Sequence, residues 1–285
     1  MSELTRRILF AVVAAPLVLL AVYLGDAALA ALLGVAAAVA AWELYRMAAE
    51  GGVRPLGAIG IAYAALLPLL VHAHFLRVFT LALAAAATAT LVVMAAAIWT
   101  RGVDGRPLAA VSITLFGVFY TGGMLSFAYG LRYHPYAVGH AAGAALLGLP
   151  VLCTWASDIG AYAVGRLAGR HKLIPAVSPG KTVEGALGGL AGTVLVAWIY
   201  VRYVLAPAGQ LALTPQGIVL FGIVLSVAAQ VGDLAESLFK REAGVKDSSR
   251  LLPGHGGVLD RLDSLFVALP VAYLLLDHLL IPAIR

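Results

Sequence analysis

The sequence predicts an all-α polytopic membrane protein with about nine transmembrane helices, the N-terminus cytoplasmic and the C-terminus outside. Three observations carry this. Of 285 residues, 62% are hydrophobic and only 12% charged, with a mean hydropathy of +0.97; a soluble domain carries about 25% charged residues. Apolar runs near the roughly 20 residues that a bilayer crossing needs recur along the whole chain. Of the 19 Lys and Arg residues, 15 fall on one side of these runs when the N-terminus is placed inside.

The runs lie at 8–24, 27–47, 56–74, 76–99, 108–131, 141–165, 185–206, 215–240 and 258–282. The first lacks a small-residue cleavage site before a soluble domain and is followed at once by more spans, so it reads as a span rather than a cleaved signal. The fourth and seventh, "LALAAAATATL" and "GALGGLAG", are built of small residues that let helix backbones approach. The sixth and eighth turn polar at their C-terminal ends. Residues 1–140 supply about five spans, and 141–285 form a region with charged loops where catalysis is expected. No soluble domain, flexible linker or internal repeat stands out.

The inner set of bases is Arg6, Arg7, Arg46, Arg54, Arg101, Arg106, Arg166, Arg170, Lys172, Lys181, Lys240, Arg241, Lys246, Arg250 and Arg261; the outer is Arg77, Arg132, Arg202 and Arg285. The positive-inside rule sets the orientation from this bias. A pI near 9.4 then follows from topology, and no nucleic-acid partner is expected. The lone Cys153 excludes an intramolecular disulfide.

Topology does not explain the acids. Asp158 follows "VLCTWAS" in the sixth span, Asp233 and Glu236 follow "VLSVAAQVG" in the eighth, and Asp260 and Asp263 open the ninth. Acids are costly at membrane depth, and a set of them converging near one face marks a function more often than a structural lock. Asp260 and Asp263 share a helical face, and Asp233, Glu236, Ser237 and Lys240 form one stripe. The Gly- and Pro-rich "GVKDSSRLLPGHGG" should return the ninth span antiparallel beside the eighth. Such carboxylates suit a hard divalent cation, Mg²⁺, with a second cation left open. Asp233, Asp260 and Asp263 are the expected ligands, with Asp158 ranked below them. Lys240, Arg241, Lys246, Arg250 and Arg261 lie around the acids, and metal with fixed cations is what a phosphate-rich substrate needs.

A second cluster is "SPGKTVEG", Ser178 to Gly185. It is half of a nucleotide loop at most, because the first glycine of GxxxxGK is absent. Gly180 still permits close backbone approach, Lys181 offers a charge, and Ser178 and Thr182 offer hydroxyls. Thr182 and Glu184 also suit the cap and first turn of the seventh helix. Elsewhere, Glu43 and Arg46 read as a local helical pair. His72, His74, His134 and His140 read as interfacial residues on the outer side. Trp42, Trp99, Tyr120 and Tyr133 suit an aromatic belt or helix packing.

The stretch Ser237-Leu238-Phe239-Lys240-Arg241, four residues, Lys246-Asp247 and then "SSRLLPGHGGVLDRLD" resembles the signature of the phosphatidate cytidylyltransferases, or CDP-diacylglycerol synthases. "SDIGAYAVGR" and "SPGKTVEG" fit the same family; the likeness is strong over residues 150–265 and rests on hydropathy before that. It implies that CTP and phosphatidic acid react to give CDP-diacylglycerol and pyrophosphate. It also implies Mg²⁺ dependence and a bacterial inner membrane, with the site on the cytoplasmic face. The residues expected to carry catalysis are Asp233, Asp260, Asp263, Lys240 and Lys246. Ser178, Lys181, Thr182, Glu184, Ser237, Arg241, Asp247, His255, Gly256, Gly257 and Arg261 are expected to bind CTP or the lipid phosphate. His255 is read as shaping its glycine-flanked loop or touching phosphate, not as an obligatory base.

Two alternatives stay open at this stage. A related CTP-dependent enzyme could use another lipid phosphate or a polyprenol. A cation or proton transporter would also bury acids, yet it needs no dense Lys/Arg loop and tends to show broken helices in repeated halves. The partners expected are CTP, phosphatidic acid and the bilayer, with a homo-oligomer left open.

Overall fold

The apolar runs become helices because a chain in lipid must satisfy every backbone N–H and C=O internally. The computed structural model describes residues 3–78, 80, 83–252 and 256–283. Among them are α1 (Glu3–Leu24), α2 (Asp26–Glu50), α3 (Gly57–Phe75), α4 (Leu83–Arg101), α5 (Pro107–Arg132), α6 (His140–Ala168), α7 (Val183–Gly209), α8 (Pro215–Glu242) and α9 (Leu259–Leu279). All but α1 are long and apolar enough to cross a membrane. In α1 the apolar stretch described is Ala15–Leu24, shorter than a crossing. The expectation of nine crossings therefore rests on eight helices of sufficient length and apolarity.

Two irregularities escaped the hydropathy reading. α5 and α7 each contain a π-helical turn, Val118–Gly123 and Val201–Leu205, a widening that interrupts the regular ladder without ending the helix. Residues 172–182, read from sequence as a loop, form a hairpin of β1 (Lys172–Ile174) and β2 (Ser178–Thr182), with Lys172 opposite Thr182. Pro175 sits at the second position of the tight turn, closed by Val177 N–H donating to Ile174 O at 3.1 Å. A second two-residue pairing joins β3 (Leu211–Ala212) to β4 (Ile281–Pro282).

The chain forms two compact units: Met1–Tyr129 with Phe239–Leu262, and Gly130–Leu238 with Asp263–Arg285. In the first, α2 and α3 cross at Gly34, where a methyl group would sit 2.8 Å from Ala65 O. Tyr45 fills the space left by Gly60 and Gly117, and its hydroxyl donates to Thr114 O at 2.7 Å. Thr114 Oγ1 accepts from Leu56 N–H at 2.8 Å, so the α2–α3 connection is tied to α5.

In the second unit, glycine again sets the packing. A Cβ at Gly160 of α6 would meet Gly188 O of α7 at 2.6 Å, and one at Gly185 would meet Ala161 O at 2.8 Å. This is the close approach that small residues permit between membrane helices. Polar contacts then lock it. Ser157 and Ser226 hydroxyls pair at 2.7 Å, and Gln230 donates to Ala186 O and Ser226 Oγ at 3.2 and 3.1 Å. At Gly232, α8 approaches α9 so closely that a methyl group would lie 2.6 Å from Asp263 O.

Candidate functional site

The second unit brings Lys181 and Asp233 together. Lys181 stands on β2 and its Nζ lies 2.6 Å from Asp233 Oδ2 on α8, both side chains about a third exposed or less. Ser237, one turn further along α8, donates to Asp233 Oδ1 at 3.4 Å. The hairpin that presents Lys181 is pinned at its base by Glu184. That carboxylate accepts from the backbone N–H groups of Arg170 and His171 at 3.0 and 3.2 Å and lies 2.6 Å from His171 Nδ1. Thr182 Oγ1 accepts from Gly185 N–H at 3.1 Å, so it is the N-cap of α7, as its position suggested. Lys172 donates to Pro179 O at 2.7 Å, across the hairpin. Gly180 faces open space and Ser178 is half-buried, so the strand before Lys181 is accessible.

Asp263 is half-buried, and its Oδ1 accepts from Ser264 N–H at 2.6 Å. Glu236 is fully buried, and Asp158 is exposed on α6. Among the described residues no group of three or more His, Cys, Asp or Glu side chains forms a metal-holding cluster. Mg²⁺ does not ask for one: it is bound through one or two carboxylates and completes its shell with water and substrate phosphate. Asp233 and Asp263, carried by helices that touch at Gly232, offer oxygen donors of that kind.

The first unit organises the charged loop. Asp260, in the first turn of α9, is an acceptor on both oxygens. Oδ1 takes Lys240 Nζ at 2.8 Å; Oδ2 takes Ser248 N–H and Oγ at 3.0 and 2.8 Å and Gly257 N–H at 2.8 Å. Its side chain is 7% exposed, so Asp260 serves here as a buried anchor that also orients Lys240. Gly256 has φ +81°, a conformation that favours glycine, and a side chain there would run into Asp260 Oδ2.

Sequence reasoning missed the second anchor. Glu43 does not pair with Arg46; Arg46 Nε reaches Glu50 Oε1 instead, at 3.1 Å. Glu43 is 0% exposed and turns towards the loop and the start of α9. Oε1 accepts from Ser249 Oγ and Val258 N–H at 2.5 and 3.1 Å, Oε2 from Ser248 Oγ and Leu259 N–H at 3.3 and 2.6 Å. The signal was available: an acid in the apolar run "AAVAAWELY" is as anomalous as those of the later spans.

Beside this loop lies a cleft of about 420 Å³, lined by Arg46 and Glu50 from α2 and by Val245, Lys246, Asp247, Ser248, Ser249 and Arg250. Lys246, Asp247, Arg241 and Arg261 are all exposed. His255 lies outside the described residues. His134, two residues past the end of α5, is buried, 3.7 Å from Asp277 Oδ1. Burial lowers its pKa below the ordinary value, and Asp277 opposes this in part.

The sequence model of the cytidylyltransferase family matches residues 5–279. A stretch of 125 residues is 49% identical to the phosphatidate cytidylyltransferase of Staphylococcus epidermidis, covering 44% of this chain and 46% of that protein. The enzyme of the same name from Haemophilus influenzae is 50% identical over 123 residues, covering 42% of this chain and 41% of its own length. That from Brucella suis is 48% identical over 120 residues, 42% of each chain. The chain thus spans less than half the length of the curated relatives it matches.

Proposed function

Since the chain belongs to the cytidylyltransferase family, we propose that it is a membrane nucleotidyltransferase that converts CTP and phosphatidic acid to CDP-diacylglycerol and pyrophosphate. The observation that carries this is the concentration of cations on the 237–263 stretch, among them Lys240, held by the buried carboxylate of Asp260. The relatives' shared name supplies the substrates for the proposal.

In this reading an oxygen of the lipid phosphate attacks the α-phosphorus of CTP. The new P–O bond forms as the bond to the β-phosphate bridging oxygen breaks, and pyrophosphate leaves with the electron pair. The phosphate is already anionic near neutral pH, so no strong base and no covalent enzyme intermediate is required. Lys181, Lys240, Lys246, Arg241 and Arg261 bind phosphate oxygens and offset the charge that two approaching anions bring together. Lys240 is oriented before substrate arrives, because Asp260 and its backbone donors fix it. Asp233 and Asp263 would hold Mg²⁺, with Asp158 as a weaker candidate; when bound, the ion acts as a Lewis acid on phosphate oxygens. The diacyl tails stay in the bilayer while the head group reaches the water-facing site.

The test is direct. Purified protein in detergent is given CTP with phosphatidic acid, or with a polyprenyl phosphate, and lipid product and pyrophosphate are quantified. CDP-diacylglycerol and pyrophosphate are expected in equal amounts from phosphatidic acid. Transfer only to the polyprenyl phosphate, or none to either, would overturn the proposal.

A further inference from the structure

We infer that Glu43 is a positioning residue for cytidylyl transfer, tying Ser248, Ser249 and the start of α9 to a helix some 200 residues earlier in the chain. This rests on the function proposed above. Its carboxylate is fully buried and receives four donors, two hydroxyls and two backbone N–H groups. The backbone donors, Val258 and Leu259, belong to the start of α9, where N–H groups have no partner inside the helix. A side chain of α2 thus caps α9. The fit is close: a methyl group at Gly257 would lie 2.5 Å from Glu43 Oε1 and also press on Ser248 Oγ. Ser248 lies between the two acids: its single hydroxyl proton is shared between Asp260 Oδ2 at 2.8 Å and Glu43 Oε2 at 3.3 Å, its backbone N–H donates to Asp260, and Asp260 holds Lys240. Hence the two acids form one lattice, and a change at Glu43 is transmitted to a phosphate-handling lysine through named hydrogen bonds. Arg250 directly follows the anchored Ser249, and Lys246 lies two residues before Ser248, so the backbone that carries both charges leaves from the clamp.

Glu43→Gln keeps the size and removes an acceptor. An amide nitrogen cannot accept, so one of the two backbone N–H groups, which cannot rotate away, faces another donor. A buried donor left without an acceptor is costly, and the loop end of the lattice should loosen. Two readouts on the full chain in detergent test this, with Asp104→Asn, on an exposed loop, as the control. Trypsin cleavage after Arg250, followed by mass spectrometry against cleavage after Arg170, should quicken about tenfold in Glu43→Gln, with Arg170 unchanged. On the monodisperse fraction, kcat should fall by about 10- to 100-fold, as small displacements in a site do, with KM for CTP moving far less. Unchanged loop cleavage with wild-type kcat would overturn the inference. So would equal acceleration at Arg250 and Arg170 with normal kcat per folded molecule, which is the mark of a merely structural role. If Glu43→Gln does not fold, Ser249→Ala removes one of the four bonds and should shift both readouts the same way by about threefold; no shift refutes the clamp. A wild-type protein with no CTP-dependent activity would sink the proposed function instead, while the cleavage ratio still decides whether the clamp exists.

Discussion

The charged groups divide by how completely they are surrounded. Asp233 and Lys181 are partly exposed, and an ion pair of that kind contributes only about 0–1 kcal/mol to stability. Their pairing is thus better explained by chemistry than by folding. Asp233→Asn should therefore leave thermal stability nearly unchanged and reduce cytidylyl transfer by at least about 100-fold; near-normal turnover at saturating Mg²⁺ would remove Asp233 from the site. His134 is the opposite case, since its side chain is enclosed and its pKa lies below the ordinary value because burial outweighs the nearby Asp277. The folded state then binds fewer protons than the unfolded one, so the contribution is fully present above about pH 6.5 and is lost as pH falls towards the folded-state pKa. Melting in detergent between pH 7.5 and 5.5 should show a falling Tm, and His134→Gln should flatten that slope. Equal slopes would mean that other groups govern the acid limb. The acids of the later spans were legible in the sequence as anomalies in lipid. Glu43 was not read the same way, because Arg46 three residues on supplied a ready partner; only the path of the loop after α8 shows where its carboxylate turns.

Among the elements, hydropathy located the helices because lipid leaves a chain few alternatives, but hydropathy is blind to what holds them together. The contact between α6 and α7 depends on glycines facing carbonyl oxygens, and the sequence showed only that small residues were abundant. Gly160→Ala places a methyl group 2.6 Å from Gly188 O, so the helices must separate. Overpacking of this kind costs about 1–3 kcal/mol, or a fall in Tm of roughly 2–10 °C for a chain of this size. Gly180→Ala, with nothing within 4 Å of the added methyl group, should leave Tm unchanged. Size-exclusion thermal challenge of both variants distinguishes the two positions, and similar Tm values would refute the close crossing. The β1–β2 hairpin was hidden for another reason. Its strands are held by three local devices, the turn at Pro175, the Glu184 brace and the Lys172 bond to Pro179 O, and none of them leaves a period-two hydrophobic pattern.

For the whole molecule, the distribution of bases makes the sharpest claim. With 15 of 19 Lys and Arg on one side, the loops after α2, α4, α6 and α8 should face the cytoplasm, where CTP is found. The loops after α3, α5 and α7 should face out. Two exposed residues report this without touching the candidate site: Val103, 92% exposed on the loop after α4, and Val138, 87% exposed on the loop after α5. In a Cys153→Ala background the natural thiol, fully buried in α6, is gone, and each valine is replaced singly by cysteine. Intact cells treated with an impermeant thiol reagent should be labelled at position 138 and not at 103. Opening the cells should expose 103. The reverse pattern would put the 237–263 cations on the side that lacks CTP, and cytidylyl transfer could not be the reaction this chain performs in the cell. Labelling of both positions from outside would mean that α5, the one long helix between them, does not cross the bilayer. The charge bias would then reflect the substrate's needs rather than the topology.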